Sequence, residues 1–89
     1  MAERLVELEK SLKALANRRR LAVVKYLTSH KYASVGEIAG HLKLSVAATS
    51  RHLRQLANAD IVATEQVGTI VNYSLSKDSG LISAFRQFL

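Results

Sequence analysis

The sequence predicts a mainly α chain with one small β-hairpin, an α+β domain in the order α-α-(short β)-α-α-β-β-α. Three observations predict it. Apolar residues recur at helical spacing through residues 5–15 and again through 35–57. Residues suited to N-capping stand before helical stretches at Asn17, Ser34 and Ser45. After Asn58 the period changes to a β-branched alternation, interrupted by Val67-Gly68-Thr69.

Residues 2–16 read as the first helix. Leu5, Leu8, Leu12 and Leu15 follow a 3-4-3 spacing, a narrow stripe like that of a coiled coil. Glu3 and Glu7 lie near the positive end of the helix dipole, where acids are favoured. The stripe fits a core-facing helix, and equally one that gives a flank to a partner subunit. Asn17 then caps a helix from about Arg18 to Ser29, with Leu21, Val24 and Leu27 as its inner stripe. Arg18, Arg19 and Arg20 fill its first turn, where each cation opposes the dipole by roughly 0.3–1 kcal/mol. A local rule broken three times in a row points to a function. The arginines meet DNA phosphates or acids of another helix, or they form a plain solvated charge run. Residues 31–33 suit a short strand.

Residues 34–58 are the most informative part of the chain. Ser34 and Glu37 fit a capping box. Val35, Ile38, Ala39 and Leu42 share one helix face, and Ser45 caps the next helix. Only Lys43, Leu44 and Ser45 separate the two. Two short helices on so tight a turn match a helix-turn-helix, whose second helix enters the DNA major groove. Residues 61–66 and 70–75 follow as strands around Gly68, the residue that accepts positive φ freely. Val71, Tyr73 and Leu75 share one strand face. A hairpin directly after a recognition helix is a wing. Asp78 or Ser79 caps a last helix to Leu89, with Leu81, Ile82, Phe85, Phe88 and Leu89 as its apolar face.

Composition sets outer bounds. At 89 residues, one domain spanning 1–89 is expected. So small a domain buries only about 60–65% of its unfolded surface, and dimerisation would add core. An apolar content of 48% argues against disorder. No apolar run approaches the ~20 residues of a membrane span, and the acidic start is unlike a signal peptide. A cytoplasmic protein with no membrane partner is therefore expected. Absence of cysteine excludes disulfides and thiolate metal sites. The net charge of +6 suits a nucleic acid or another anionic surface.

On a helical wheel of residues 46–58, Val46, Thr49, Leu53, Leu56 and Ala57 point inward. Ala47, Ala48, Arg51, Arg54 and Gln55 point outward, with Ser50 and His52 on the flanks. Arg grips guanine O6 and N7 with two hydrogen bonds, and Gln does the same with adenine. Ala47 and Ala48 let the backbone approach the groove. Ser45, Ser50 and Lys43 reach the phosphate backbone, with Arg19 and Arg20 as further contacts. Double-stranded DNA is the expected partner. No cofactor and no metal are expected, because His30, His41 and His52 are scattered and a His-only zinc site needs three or four convergent ligands.

Taken together, these residues resemble the ArsR family of winged helix-turn-helix repressors. Leu12-Lys13-Ala14-Leu15-Ala16-Asn17 is similar to that family's LKALAD, and Arg20-Leu21 stands in the place of its TRL. Glu37-Ile38-Ala39 with Leu42 and Leu44-Ser45 fits its ELA..L.LS pattern. Ser50-Arg51-His52-Leu53-Arg54-Gln55-Leu56 is close to SHHLKVL, and Val71-Asn72-Tyr73-Ser74-Leu75 to VYYRL. The resemblance implies a homodimer joined through the first and last helices, a palindromic operator and repression. The dimer surface is then expected at Leu5, Leu8, Leu12, Leu81, Phe85 and Phe88. Two departures stand out. Ser34 and Gly36 occupy the positions where many members carry metal-sensing cysteines, so the chain is expected to act without metal. Residues 60–75 carry Asp60 and Glu65 and no cation, whereas family wings are often basic. Two other readings use the same residues. A protein-binding winged helix would use Arg51 and Arg54 to grip acidic side chains, and a non-specific DNA-binding protein would use charge alone. No catalytic constellation is visible, so no enzyme activity is expected.

Overall fold

In a computed structural model, which describes residues 2–77 and 80–89, every sequence-derived element is present. Helix α1 spans Glu3–Leu15 and α2 spans Arg18–Ser29. Strand β1 is Ala33–Ser34, followed by α3 (Val35–Leu42) and α4 (Val46–Asn58). Strands β2 (Val62–Val67) and β3 (Ile70–Leu75) form the hairpin, and α5 (Gly80–Phe85) closes the chain. Expected caps at Asp78 or Ser79 lie outside the described residues. The last helix is shorter than expected. It gives way to a 3₁₀ turn at Arg86–Phe88, in which the Leu89 N–H donates to the Arg86 carbonyl. Helix ends commonly tighten in this way.

Side chains finish the helix ends. Asn17 Oδ1 accepts from the N–H groups of Arg19 and Arg20 at 3.0 and 3.1 Å. Ser34 Oγ accepts from Glu37 N–H at 3.2 Å, and the Ser34 N–H donates to Glu37 Oε1 at 2.9 Å. These bonds hold the Glu37 carboxyl below its ordinary pKa. Lys43 then adopts a left-handed conformation (φ 57°), and the N–H groups of Lys43 and Leu44 both donate to the Ala39 carbonyl. This non-glycine αL residue ends α3 and turns the chain sharply toward α4. Ser45 Oγ accepts from Ala48 N–H at 3.0 Å, which starts α4.

One sheet, in the antiparallel order β1-β3-β2, lies beside the helices. Ala33 pairs with Tyr73, and Val62 with Leu75. Thus the short strand before α3 adds a third member to the hairpin and ties the wing to the helix-turn-helix. Gly68 takes φ +64° at the first position of the two-residue loop, where such a loop favours glycine.

The core joins Val23, Val24 and Leu27 of α2, Ile38 of α3, Leu53 and Leu56 of α4, and Ile61. Thr49 is fully buried among them, and its hydroxyl donates to the Ser45 carbonyl at 2.9 Å. Two expected core positions are corrected. Leu21 is exposed, and Val23 takes its place beside Val24 and Leu27. The buried stripe of α2 is thereby rotated from the one expected. Val46 is 55% exposed. As the first residue of α4 its side chain leans back toward the turn, where nothing covers it.

Candidate nucleic-acid interface

Helix α4 presents the expected outward face. Ala47, Arg51, Arg54 and Gln55 are exposed, whereas Ala48, expected to point outward, is half-buried, as are Ser50 and His52 on the flanks. Exposed Val46 adds an apolar group at the start of this face, next to Ala47. Wheel position alone missed it. The signal was its place at the first helical residue, ahead of any layer that covers it. Ser45 is exposed, and its oxygen accepts the cap bond while its O–H stays available to donate to a ligand. Lys43 is exposed in the turn.

The start of α2 and the middle of α4 come together. Half-buried His52 is pushed below its ordinary pKa, first by burial and then by the positive charges of Arg20, Arg19 and Arg51. Arginines from two helices therefore act on one imidazole. His52 takes up a proton less readily than a free imidazole, on a surface rich in cations. Arg20 is half-buried, and its Nε is buried without a hydrogen-bond partner. Arg19 is exposed. Arg20 also lines an open cleft of about 330 Å³ with Lys10, Lys13, Gln55 and Asn58. That cleft lies between α1, the start of α2 and the second half of α4. Lys10 and Lys13 were absent from the expected site. Their 3-residue spacing, on the flank of α1 opposite the leucine stripe, was the available signal.

The wing has a different character. Glu65 is exposed, as are Val67, Ile70 and Val71 near the tip. The Gln66 amide Nε2 donates to the Gly68 carbonyl at 3.2 Å, which occupies one polar group that the wing offers. No cation lies on either strand or in the loop between them.

His30 and His41 are accounted for elsewhere. His30 stacks on Tyr26 at 3.9 Å between ring centroids, with its Nδ1 2.8 Å from the Tyr26 carbonyl at the end of α2. His41 lies on the same tyrosine at 4.6 Å. Among the described residues, no group of three or more His, Cys, Asp or Glu side chains is placed to hold a metal ion. Ser34, at one cysteine position of metal-sensing proteins, has its side chain committed to the capping box.

On the first and last helices, Leu5, Leu8 and Leu12 of α1 are exposed, as are Phe85 and Phe88. Leu81 is half-buried. Phe85 and Phe88 are 6.1 Å apart and line an apolar groove of about 450 Å³ with Leu12, Leu21 and Ile82. Leu21, displaced from the core, finds its place in this groove.

With the geometry described, comparison with known proteins gives a consistent result. Residues 17–64 match the family model of the bacterial regulatory proteins of the arsR family. The transcriptional activator HlyU of Vibrio cholerae is 42% identical over 65 residues, a stretch covering 73% of this chain and 59% of that protein. The match thus spans less than two thirds of that relative. A solved structure of Vibrio cholerae HlyU superposes with a TM-score of 0.86 at 32% identity, covering 99% of this chain and 97% of the other. The homodimeric winged helix-turn-helix DNA-binding domain of Mb0332 from Mycobacterium bovis gives 0.85 at 26% identity, covering 99% and 85%. The transcriptional repressor PagR of Bacillus anthracis gives 0.84 at 25% identity, covering 96% and 95%.

Proposed function

The chain belongs to the ArsR family of bacterial regulatory proteins, and on that premise we propose that it reads DNA as a metal-independent homodimeric repressor. It is a transcription regulator with a winged helix-turn-helix DNA-binding fold. One observation carries the finer reading. Arg51, Arg54 and Gln55 stand exposed together on α4, while Thr49, Leu53 and Leu56 anchor its opposite face in the core. A rigidly seated helix with bidentate donors outward is what direct base readout requires. Arg19, Arg20 and Lys43 supply phosphate contacts, which fix register without carrying sequence information. The cation-free wing contributes little, so affinity rests on α4 and the start of α2.

Exposed Leu5, Leu8, Leu12, Phe85 and Phe88 support a twofold dimer, since the leucine stripe and the groove lined by Leu12, Phe85 and Phe88 need a cover. A twofold dimer places its two reading helices about one DNA turn, ~34 Å, apart, and demands an inverted repeat. Metal independence rests on the absence of cysteine and on the commitment of Ser34 to its cap. Repression follows the sense of PagR, whereas HlyU carries the name of an activator. The experiment is selection of duplexes from a random library at ~150 mM salt. Enrichment of an inverted repeat with half-sites one turn apart is expected, and binding without enrichment contradicts direct readout.

A further inference from the structure

The cleft between α1, the start of α2 and the second half of α4 is lined by three cations, Lys10, Lys13 and Arg20. Among the described residues no acid lines it, and its remaining polar side chains are the amides of Gln55 and Asn58. Lys10 and Lys13 lie three residues apart on one flank of α1, so both ammonium groups reach the same opening. Leu5, Leu8 and Leu12 occupy the opposite flank. The helix that carries the exposed leucines therefore turns a basic edge toward the reading helix. Arg20 is half-buried, and among the described residues its buried Nε has no acceptor, so the other guanidinium nitrogens are the ones a ligand in the cleft would meet. Gln55 belongs both to the outward face of α4 and to this cleft. Whatever meets that face thus passes the mouth of the cleft.

The geometry points to a phosphodiester seat in this cleft, with Lys10 and Lys13 as outer contacts and Arg20 as the inner one, occupied by a backbone phosphate beside the groove that α4 reads. The inference rests on α4 being the DNA-facing helix. It adds α1 to the DNA-binding surface, and so joins operator contact to the helix whose leucines are offered to a second subunit. A phosphate presents several acceptor oxygens to a fork of guanidinium and ammonium donors, and charge-assisted bonds of this kind are the strong ones.

The test uses the full chain with Lys10→Gln and Lys13→Gln combined. Both lysines are exposed, so the fold is expected to persist, with an unchanged circular dichroism spectrum as the check. Binding is measured against salt on the selected duplex and on a shuffled one of equal length. The expected result is a slope of log K on log salt that is shallower by about 1 for each lysine–phosphate contact removed. Affinity falls by the same factor on both duplexes. A control with Lys25→Gln and Lys31→Gln loses the same charge outside the cleft and is expected to keep nearly the wild-type slope. If the Lys10/Lys13 variant keeps the wild-type slope while Arg51→Ala still loses sequence preference, the cleft inference falls and the reading of α4 stands. If the wild type shows no preference but the slope still drops, the reading falls and the seat remains. If the control moves the slope equally, the cleft is no special site. The Arg20 Nε–H resonance separates the sources of phosphate. It is expected to shift with duplex and not with millimolar inorganic phosphate at constant ionic strength. Saturation by inorganic phosphate, with no response to duplex, overturns the assignment to DNA.

Discussion

Leu53, at the centre of α4, has no exposed surface, whereas Leu5 on α1 is 55% and Phe88 beyond α5 is 74% exposed. The middle of the chain closes its own surfaces. Ser34, Glu37 and Ser45 satisfy the helix starts, the Lys43 backbone closes the end of α3, and the α3–α4 apolar faces meet α2 and Ile61. The two ends do the opposite. Helix α1 has no side-chain cap, and its leucine stripe meets no layer of this chain over much of its length. The difference teaches a division of labour. Arg51 and Arg54 stand on a helix braced from within, while the ends carry the uncovered apolar surface that the proposed dimer would bury.

Substitutions at the two places are expected to fail differently. Leu53→Ala opens a cavity in the braced region and is expected to cost about 2–5 kcal/mol, read as a lower urea midpoint. If it leaves the midpoint unchanged, α4 is not held by its buried face. Leu8→Glu with Phe85→Glu alters the open ends instead. It is expected to leave the helical spectrum intact, to yield monomers by sedimentation and to weaken binding to a two-half-site duplex. A variant that remains dimeric removes the ends from the interface.

A smaller effect sharpens the comparison at the joint between α2 and α4. His52 binds a proton less readily in the folded chain than in the unfolded one, because it is partly buried and faces Arg20, Arg19 and Arg51. Stability is therefore full above the ordinary histidine value of 6.5 and falls as pH drops from there toward the lowered value. In the proposed complex DNA phosphates would offset those arginines, and the complex would take up a proton more readily than the free protein. Affinity is expected to rise from pH 7.5 to 5.5 by less than about tenfold. His52→Gln should flatten the dependence, and an undiminished slope in that variant excludes His52 as its source.

The same division explains what the sequence made legible. Asn17, Ser34, Glu37 and Ser45 act on groups two or three residues away, so their roles were readable locally, and the third-to-fourth helix turn followed. The hairpin was set by the β-branched alternation of residues 61–66, by Gly68 and by Val71, Tyr73 and Leu75 on one strand face. The pairing of β1 with β3 was not readable, because it joins residues 33–34 to 72–73 across the whole helix-turn-helix. Leu21 and Val46 were misplaced for a related reason: a wheel gives direction but not which neighbours cover it. The outward face of α4 emerged as expected because its apolar half is strongly marked. The cleft did not, since Lys10, Arg20 and Gln55 come from three separate elements.

Specificity measured on Arg51→Ala decides whether the braced helix reads base edges. The ratio of affinities for the selected and shuffled duplexes is determined for the wild type and the variant at one salt concentration. Arg51→Ala is expected to lose about 1–3 kcal/mol on the selected duplex and far less on the shuffled one, so the ratio collapses. An equal loss on both duplexes would reduce Arg51 to a phosphate contact, and no loss on either would remove it from the DNA-binding surface.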